Sequence, residues 1–482
     1  MAWRCASQKY TIEAVAKDEE NAEFFRVLRL QLLGSDKPCT ALEFTFLDLN
    51  KQSIQLLLQA FYYHKSTHEI KKIVFHGCRI RDEESLELLS HLFSLYTHWT
   101  HVEISCLCQH MGNEEARILI MEIMKSKDLD YLNISSMGLS DGLIFWRDLL
   151  SSPHPATPRS IVMRSSRVNF EHTNDFIEMA KSLQCDRRQT LKHLDLSACR
   201  IDDTSMRIVV SGLSSMNVSL ESLALKGNRL SPKSIPVLAQ LIHDHRGLKA
   251  LDLSMNTRLF ATDDPAITNA EANIQKIIEA AIPVSADDGE VQHSLERLVL
   301  SKTGVGENAA IVMIKALEKS PVLQELDLNF CLLGEKVMEQ LGKSLPRFTG
   351  LRELYLHGLH FNHRNAATNP HDQRQTIWKA LQENTSLVKI QGLNMFLGAG
   401  RPELASAITE HLSERNKAMH EARSMIDDGH PSNTNTFTGD KTSKPGPRLW
   451  PRCLEKLGRG SWTASALYLF LQNNASGIAD LN

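Results

Sequence analysis

One short pattern of apolar residues recurs along most of the chain and restricts the folds open to it. In the segment TLKHLDLSACRI, residues 190–201, apolar side chains stand at offsets 0, 3, 5 and 10 from Leu191, and Cys199 stands at offset 8. The same template returns at Leu220, Leu295, Leu323 and Leu351. Recurrence of one template at a nearly fixed period indicates a chain built from copies of a single small unit.

Twelve repeat starts can be placed in this register. They fall at Cys39, Ile70, Trp99, Leu129, Pro158, Leu191, Leu220, Leu248, Leu295, Leu323, Leu351 and Leu387. The usual step is 28–31 residues, as from Leu323 to Leu351. The steps of 47 residues after Leu248 and of 36 residues after Leu351 are longer, and they predict surface loops, the first of them within residues 257–293. In repeat proteins such loops often carry binding specificity.

The spacing inside each repeat predicts a strand followed by a helix. Offsets 3 and 5 differ by two, so Leu194 and Leu196 lie on one side of a short strand, while His193 and Asp195 lie on the other side. Residues with helical spacing follow several of the strands. These predicted helices cover residues 205–213, 233–244, 270–281, 307–319 and 336–344. Because one unit cannot bury its leucines alone, the units are expected to stack.

The template resembles the LxxLxLxx(N/C)xL signature of leucine-rich repeats. A step of 28–29 residues leaves room for a helix in each unit. In this respect the chain is similar to the ribonuclease-inhibitor-like subfamily, which is also seen in Ran GTPase-activating proteins and innate immune receptors. The resemblance covers residues 39–400. It implies an α/β leucine-rich repeat solenoid, or horseshoe, with a parallel β-sheet on the concave face and helices on the convex face. Strands pack about 4.8 Å apart whereas helices need roughly 10 Å, so such a stack must curve.

Composition divides the chain into a solenoid and four flanking segments. The first and last repeats of a stack expose apolar edges, so amphipathic segments beside them are expected to act as capping helices. The final segment is rich in Trp, Leu, Tyr and Phe, and we predict that it packs on the body of the protein or on a partner. The divisions are an N-terminal capping helix in residues 1–38, with its helix at 11–34, the solenoid at 39–400, a C-terminal capping helix at 401–427, a flexible linker at 428–447 and the apolar segment at 448–482.

Charge and cysteine usage narrow the class of partner and compartment. The formal net charge is −3, which favours neither nucleic acid nor a membrane surface as a partner. No run reaches 18 apolar residues and the first twenty residues lack the apolar core of a signal peptide, so we expect a cytoplasmic protein without a membrane span. Cys78, Cys199 and Cys331 occupy offset 8, where the resemblance implies that Asn or Cys bonds to the turn backbone. All nine cysteines are therefore expected to be free thiols.

Three groups of residues resemble reactive or ligand-binding sites, and each has a simpler explanation. The segment GEKVMEQLGKS, residues 334–344, lacks the G-x4-GK spacing of a phosphate loop and lies on a predicted helix. Glu325 and Asp327 share a strand face about 7 Å apart, a separation that paired catalytic carboxylates also use, but a repeat array presents such pairs by default. Histidines at His357, His360, His363 and His371 have a spacing that a metal tolerates, yet loop histidines without a Cys or carboxylate pattern are usually solvated. We predict no catalytic residue, no metal and no cofactor.

The side chains that point away from the leucine core form columns across the predicted sheet. From Asp195 onward these columns are acidic, with scattered bases and one aromatic residue. One interpretation is an ordinary solvated sheet face. The other is a docking surface for a protein, because a wide sheet holds its side chains rigidly. The predicted protein-binding residues are His193, Asp195, Lys226, Asp252, Arg297, Glu325, Asp327, Glu353, Tyr355 and His357.

The predicted function is a non-catalytic intracellular scaffold, expected to be a monomer, that binds another protein through this face. The alternative is a GTPase-activating protein similar to the Ran GTPase activators, which stabilise phosphoryl-transfer charge from one rim of the horseshoe. No motif of the chain maps residue by residue onto their active positions. A third interpretation, a receptor fragment, would need a nucleotide-binding domain, for which residues 1–482 carry no motif.

Overall fold

A computed structural model gives the fold of the chain. It describes residues 5–6, 9–13, 40–45, 47–63, 70–80, 82–108, 113–135, 158–165, 191–215, 219–260, 270–281, 295–318, 320–358 and 370–392, and a few residues between 406 and 417. The chain forms two compact units, and each is described by itself. The first unit comprises residues 1–268 with 284–295, and the second comprises residues 269–283 with 296–482.

The first unit carries strands β1 to β11. Their bounds are β1 Cys5–Ala6, β2 Lys9–Glu13, β3 Ala41–Thr45, β4 Asp48–Leu49, β5 Lys72–Ile80, β6 His101–Cys108, β7 Tyr131–Asn133, β8 Ser160–Val162, β9 His193–Asp195, β10 Ser222–Ala224 and β11 Ala250–Asp252. Strands β2, β3 and β5 to β11 pair in parallel in chain order. Strand β1 pairs antiparallel with β2, and the short β4 pairs with β5.

The second unit carries four strands that pair in parallel in chain order. They are β12 Arg297–Val299, β13 Glu325–Asp327, β14 Glu353–Tyr355 and β15 Lys389–Gln391. Helices follow most strands of both units. Those of the first unit span Lys51–Tyr63, Glu83–Leu95, Asn113–Met124, Asp203–Ser215 and Ile235–Asp244, and those of the second span Ala270–Ala281, Glu307–Leu317, Glu335–Ser344 and Pro370–Glu383.

The repeat register predicted from the sequence is confirmed. A strand begins two residues after every one of the twelve predicted repeat starts, including the atypical starts Cys39 and Pro158. In the repeat that begins at Leu191, the residues at offsets 0, 3, 5, 8 and 10 are all buried, whereas the intervening His193 is exposed. The fold class is therefore the predicted α/β leucine-rich repeat array, with a parallel sheet and helices that bury the leucines between them.

Where the structure describes a cysteine or asparagine at offset 8, its side chain connects the repeat to the one before it. The thiol of Cys199 donates to the carbonyl oxygen of Met163, at 3.0 Å, and the thiol of Cys331 donates to that of Leu300, at 3.3 Å. Asn228 fills the same position with an amide group. Because these donors lie in the interior, they satisfy turn carbonyls that would otherwise be buried without a partner. The predicted role of the offset-8 residue is thereby confirmed.

A recurring turn follows the strands and places one residue in the left-handed region of backbone space. This residue lies three positions after the second outward-facing residue of the strand, as Ala198 does after Asp195. Both glycine and non-glycine residues occupy it. At this turn position φ lies between 55° and 80° in Gly77, Ser165, Ala198, Gly227, Met255, Lys302, Phe330 and Gly358. Glycine adopts this conformation freely, whereas side chains make it costly.

Two predicted elements differ from the structure. Residues 11–13, at the start of the predicted helix 11–34, belong to strand β2, because the alternating sequence KYTIE pairs with β3 at the sheet edge. The remainder of that helix lies outside the described residues. The predicted helix 233–244 begins instead as a 3-10 turn, Pro232–Ser234, before the helix Ile235–Asp244. Pro236 has no N–H to donate to the carbonyl of Pro232, so it suits the first turn of the helix, where an N–H lacks a helical partner in any case.

Several predicted segments lie wholly or partly outside the described residues. Of the inserted loop 257–293, the structure describes residues 257–260 and the helix Ala270–Ala281. Within the predicted C-terminal capping helix, residues 410–413 are helical and Ile408 and Leu412 are buried. The linker 428–447 and the apolar segment 448–482 lie outside the described part. In that part, no helix has both the length and the apolar character needed to cross a bilayer.

We expect the buried cysteines to be unreactive while the protein is folded. Cys78, Cys199 and Cys331 are buried thiols, and burial raises the pKa of the Cys331 thiol to about 11. Since the thiolate is the reactive form, a disulfide reagent at pH 8 should modify these three only after denaturation. Counting thiols in denaturant with and without reductant tests the wider prediction of nine free thiols. A gain of two or more thiols on reduction would reveal a disulfide.

Candidate functional site

The outward side chains of the first unit lie in two aligned columns. His193 pairs with Ser222 across β9 and β10, and Asp195 pairs with Ala224. Asp252 pairs with Ala224 in turn, so it lies in the same column as Asp195, two strands away. His193 and Lys226 are exposed, whereas Asp195 and Asp252 are half-buried. The predicted site residues of this unit therefore share the sheet face, as their spacing indicated.

The acidic residues of this face have a structural role that the sequence analysis missed. One carboxylate oxygen of Asp195 accepts the backbone N–H of Ser197 at 2.9 Å, and Asp252 does the same for Ser254, also at 2.9 Å. Asn133 accepts the N–H of Ser135 at 3.0 Å in an equivalent turn. Each is an Asx-type turn that closes the exit from a strand. The pattern Asp/Asn-x-Ser at the strand end was the available signal.

The second oxygen of Asp195 is engaged by a base. Arg164 donates from Nε to Asp195 at 2.7 Å, and this hydrogen bond raises the pKa of the Arg164 guanidinium. Arg164 was absent from the predicted site residues although it follows strand β8 on the same face. Both carboxylate oxygens of Asp195 therefore accept hydrogen bonds within the sheet. The positive charge of Arg164 offsets the negative charge that Asp195 would offer to a partner.

The second unit presents two further aligned columns. The first column contains Arg297, Glu325, Glu353 and Lys389, and the second contains Val299, Asp327, Tyr355 and Gln391. Val299 is 7% exposed, so it belongs to the core rather than to the binding face. The six predicted site residues of this unit, from Arg297 to His357, lie on the three consecutive strands β12 to β14 or in the turn that follows β14.

Glu353, Tyr355 and Lys389 form one interconnected group, here named the Tyr355 cluster. The hydroxyl of Tyr355 donates to a carboxylate oxygen of Glu353. The ammonium group of Lys389 donates to the Tyr355 hydroxyl at 2.7 Å and to Glu353 at 3.2 Å, and it lies 4.8 Å from the centre of the Tyr355 ring. These contacts fix the half-buried ring in one orientation.

The electrostatics of the Tyr355 cluster favour a carboxylate, an ammonium and a neutral phenol. Burial, and then the hydrogen bond to Glu353, raise the pKa of the Tyr355 hydroxyl. The hydrogen bond to Tyr355 raises the pKa of Lys389. For Glu353, burial acts upward, but the hydrogen bonds from Tyr355 and Lys389 outweigh it and leave the pKa lowered. Each charged group is therefore held in its charged form beside a rigid aromatic ring.

Glu325 and Asp327 occupy different environments although they lie two residues apart. Glu325 pairs with Arg297, with 3.0 Å between the Glu325 oxygen and Arg297 Nε. Burial, together with the nearby Glu353 and Asp327 carboxylates, nevertheless raises the pKa of Glu325. Asp327 accepts the N–H of Asn329 at 2.8 Å, in the same Asx-type turn as Asp195 and Asp252. The two acids thus make different contacts within the sheet, Glu325 with Arg297 and Asp327 with the backbone of Asn329.

Lys389 completes the cluster but was missed among the predicted site residues. Its position was available from the sequence, because it stands at offset 2 of the last repeat, as Glu353 does in the repeat before. The sequence did not reveal that a lysine on one strand reaches a tyrosine on the neighbouring strand. That contact depends on the register between β14 and β15.

The predicted absence of a metal stays a prediction. His357 follows β14 and its backbone N–H donates to the side chain of Asn329 at 2.6 Å. His360 and His363 lie outside the described residues, as does the side chain of His371. Where side chains are described, no group of three or more His, Cys, Asp or Glu residues is arranged to hold a metal ion.

Comparison with known proteins gives one family match and several distant relatives. The leucine-rich repeat family model matches residues 188–207. A NACHT, LRR and PYD domains-containing protein 4C from Mus musculus is 23% identical over 187 residues, which cover 35% of this chain and 18% of the mouse protein. The chain thus matches less than a fifth of that relative's length.

Solved structures of two bacterial proteins also align with the chain. An internalin from Listeria monocytogenes aligns with a TM-score of 0.40 and 14% identity, covering 77% of this chain and 93% of the internalin. The leucine-rich repeat-containing protein LegL7 from Legionella pneumophila aligns with a TM-score of 0.38 and 14% identity, covering 84% of this chain and 97% of LegL7. The family match at residues 188–207 agrees with the leucine-rich repeat fold that the repeated strand, turn and helix of each unit show.

Proposed function

We propose that the protein is a non-catalytic cytoplasmic scaffold, a monomer of the ribonuclease-inhibitor-like subfamily, that binds another protein through its sheet face. The sheet face means the outward side of the parallel strands. The Tyr355 cluster is the single observation that carries the proposal. Aromatic residues flanked by charge, and fixed before binding, are the usual energetic anchors of protein interfaces.

The surroundings of the cluster support a protein partner rather than a small substrate. Four consecutive strands place charges of both signs in the column next to that of Tyr355, with Arg297 and Glu325 in one ion pair and Glu353 and Lys389 in another. Charges that already have partners set orientation and register at an interface more than they add affinity. Nothing in the described residues favours the GTPase-activating alternative, so one function is proposed.

Site-specific photo-crosslinking tests where a partner binds. A benzophenone amino acid at His357 places the probe on the sheet face of the second unit. The same probe at the exposed Lys336, on the helix Glu335–Ser344, is the matched control. In native lysate we expect a discrete crosslinked species from position 357 and none from position 336. Crosslinks from position 336 alone, or from neither, would refute the proposal.

A further inference from the structure

A small apolar surface lies in the turn after strand β13. Phe330 is 55% exposed and Leu332 is 63% exposed, whereas Cys331 and Leu333 beside them are buried. Among the described residues of the second unit, these are the two large apolar side chains that face solvent. With Lys302 they form what is here named the apolar turn patch. The Tyr355 cluster contributes no residue to it.

The backbone of Phe330 pays a conformational cost that a glycine would avoid. Its φ is 56°, in the left-handed region, where bulky residues are outliers. The equivalent position is glycine in three other repeats and carries a side chain in four, at Ser165, Ala198, Met255 and Lys302. Phe330 is the one aromatic residue among these eight, and its side chain is 55% exposed.

The ring of Phe330 is held in place before any partner arrives. Its backbone N–H donates to the carbonyl oxygen of His357 at 2.6 Å. A Cβ atom on Gly358 would lie 2.8 Å from the Cδ1 atom of Phe330, so the ring packs where Gly358 leaves room for it. The Lys302 ammonium group lies over this ring, 4.8 Å from its centroid. A ring fixed in this way loses little entropy on binding.

The charge of the patch selects the chemistry of its partner. Within the described part of the chain, Lys302 forms a cation–π contact with Phe330 and no ion pair. An exposed ammonium over an exposed aromatic ring, with an exposed leucine two residues further along, complements a ligand with an apolar group next to a carboxylate. We propose that the apolar turn patch binds a peptide segment of another protein that carries a large apolar side chain next to an aspartate or glutamate.

A displayed library of random twelve-residue peptides, selected on the full chain, tests this proposal. We expect enrichment of Phe, Leu or Ile next to Asp or Glu. A synthetic peptide of the enriched sequence should bind Phe330→Gly at least about tenfold more weakly than the wild type. The thermal midpoint of Phe330→Gly should stay equal or rise, because glycine suits the left-handed turn. The Lys302→Glu variant should select Lys or Arg in place of the acid.

Two control variants separate this patch from other surfaces. Met255→Gly changes another exposed residue with a left-handed backbone, in the first unit, and should leave peptide affinity unchanged. Tyr355→Ala should also leave it unchanged, so failure of this proposal and failure of the proposed function can be distinguished. Equal binding by Phe330→Gly, enrichment of basic peptides by the wild type, no enrichment at all, or self-association of the full chain in sedimentation that Phe330→Gly abolishes would each overturn the proposal.

Discussion

Replacing Asn228 with alanine is expected to lower the free energy of unfolding by about 3 kcal/mol. The buried amide group donates to the carbonyl oxygens of Leu196, at 2.9 Å, and Leu225, at 2.8 Å. Its own carbonyl oxygen accepts the N–H of Ile201 at 3.0 Å. Alanine replaces none of these three bonds, and a buried polar group that loses its partner keeps the full cost of leaving water.

A cysteine at the same position is the matched control. Cys199 and Cys331 show that a thiol at offset 8 can donate to a carbonyl of the preceding repeat. Asn228→Cys should therefore recover about 1 kcal/mol of the loss, the usual value of one hydrogen bond. Urea unfolding followed by circular dichroism measures both variants, with the exposed Arg229→Ala as a surface control. Equal midpoints for Asn228→Ala and the wild type would contradict the role given to this side chain.

The effect should extend beyond one turn because repeat proteins are stabilised by contacts between neighbours. Asn228 bonds backward to Leu196, and Asn256 bonds backward to Leu225 in the next repeat. Each bond joins two consecutive repeats, so its loss weakens the interface between those repeats as well as a turn. We expect Asn228→Ala to increase hydrogen exchange in strands β9 and β10 together.

The strand and helix positions could be predicted because they depend on short-range spacing. Leucines at offsets 3 and 5 fix which side of the strand is buried, and this follows from the two-residue period of any strand. Helix Ala270–Ala281 was predicted with its observed bounds. The same logic placed His193 and Asp195 on the outward face. Local periodicity therefore accounts for the fold and for which side of the sheet is available.

The contacts within the candidate site could not be predicted because they depend on neighbouring strands. Nothing in the sequence around Tyr355 indicates that Lys389, 34 residues later, donates to its hydroxyl. Likewise, Arg164 reaches Asp195 from 31 residues away. Side chains as long as lysine and arginine choose among several acids, and the choice depends on register and on burial.

The Asx-type turns change the meaning of the acidic column. From the sequence, Asp252 and Asp327 read as charges offered to a basic partner. In the structure each also accepts a backbone N–H two residues later. An asparagine can accept the same hydrogen bond without the charge, so Asp252→Asn with Asp327→Asn removes charge while keeping the turns. This makes the pair of substitutions a clean test of electrostatic steering, which should slow association and weaken its dependence on salt.

Replacing Tyr355 with alanine is expected to weaken binding of the crosslinked partner by about 2 kcal/mol, or roughly thirtyfold. The change removes a rigid ring from the sheet face of the second unit and releases Glu353 and Lys389, which then lose orientation. Titration calorimetry with the partner identified by crosslinking measures the affinity. Thermal unfolding should change little, because the side chain lies outside the leucine core.

Tyr355→Phe separates the ring from its hydroxyl. Phenylalanine keeps the apolar area but loses the hydrogen bonds to Glu353 and Lys389, so we expect a smaller loss of binding free energy, on the order of 0.5–1 kcal/mol.

Deletion of the inserted residues 257–265 and 283–293 tests the competing binding site, since loops of this kind often bind partners in repeat proteins. If binding disappears in the deletion variant and survives in Tyr355→Ala, the partner binds the loop and the sheet-face assignment is wrong. Loss of affinity in Tyr355→Ala, with the smaller loss in Tyr355→Phe, would locate the anchor at the ring itself.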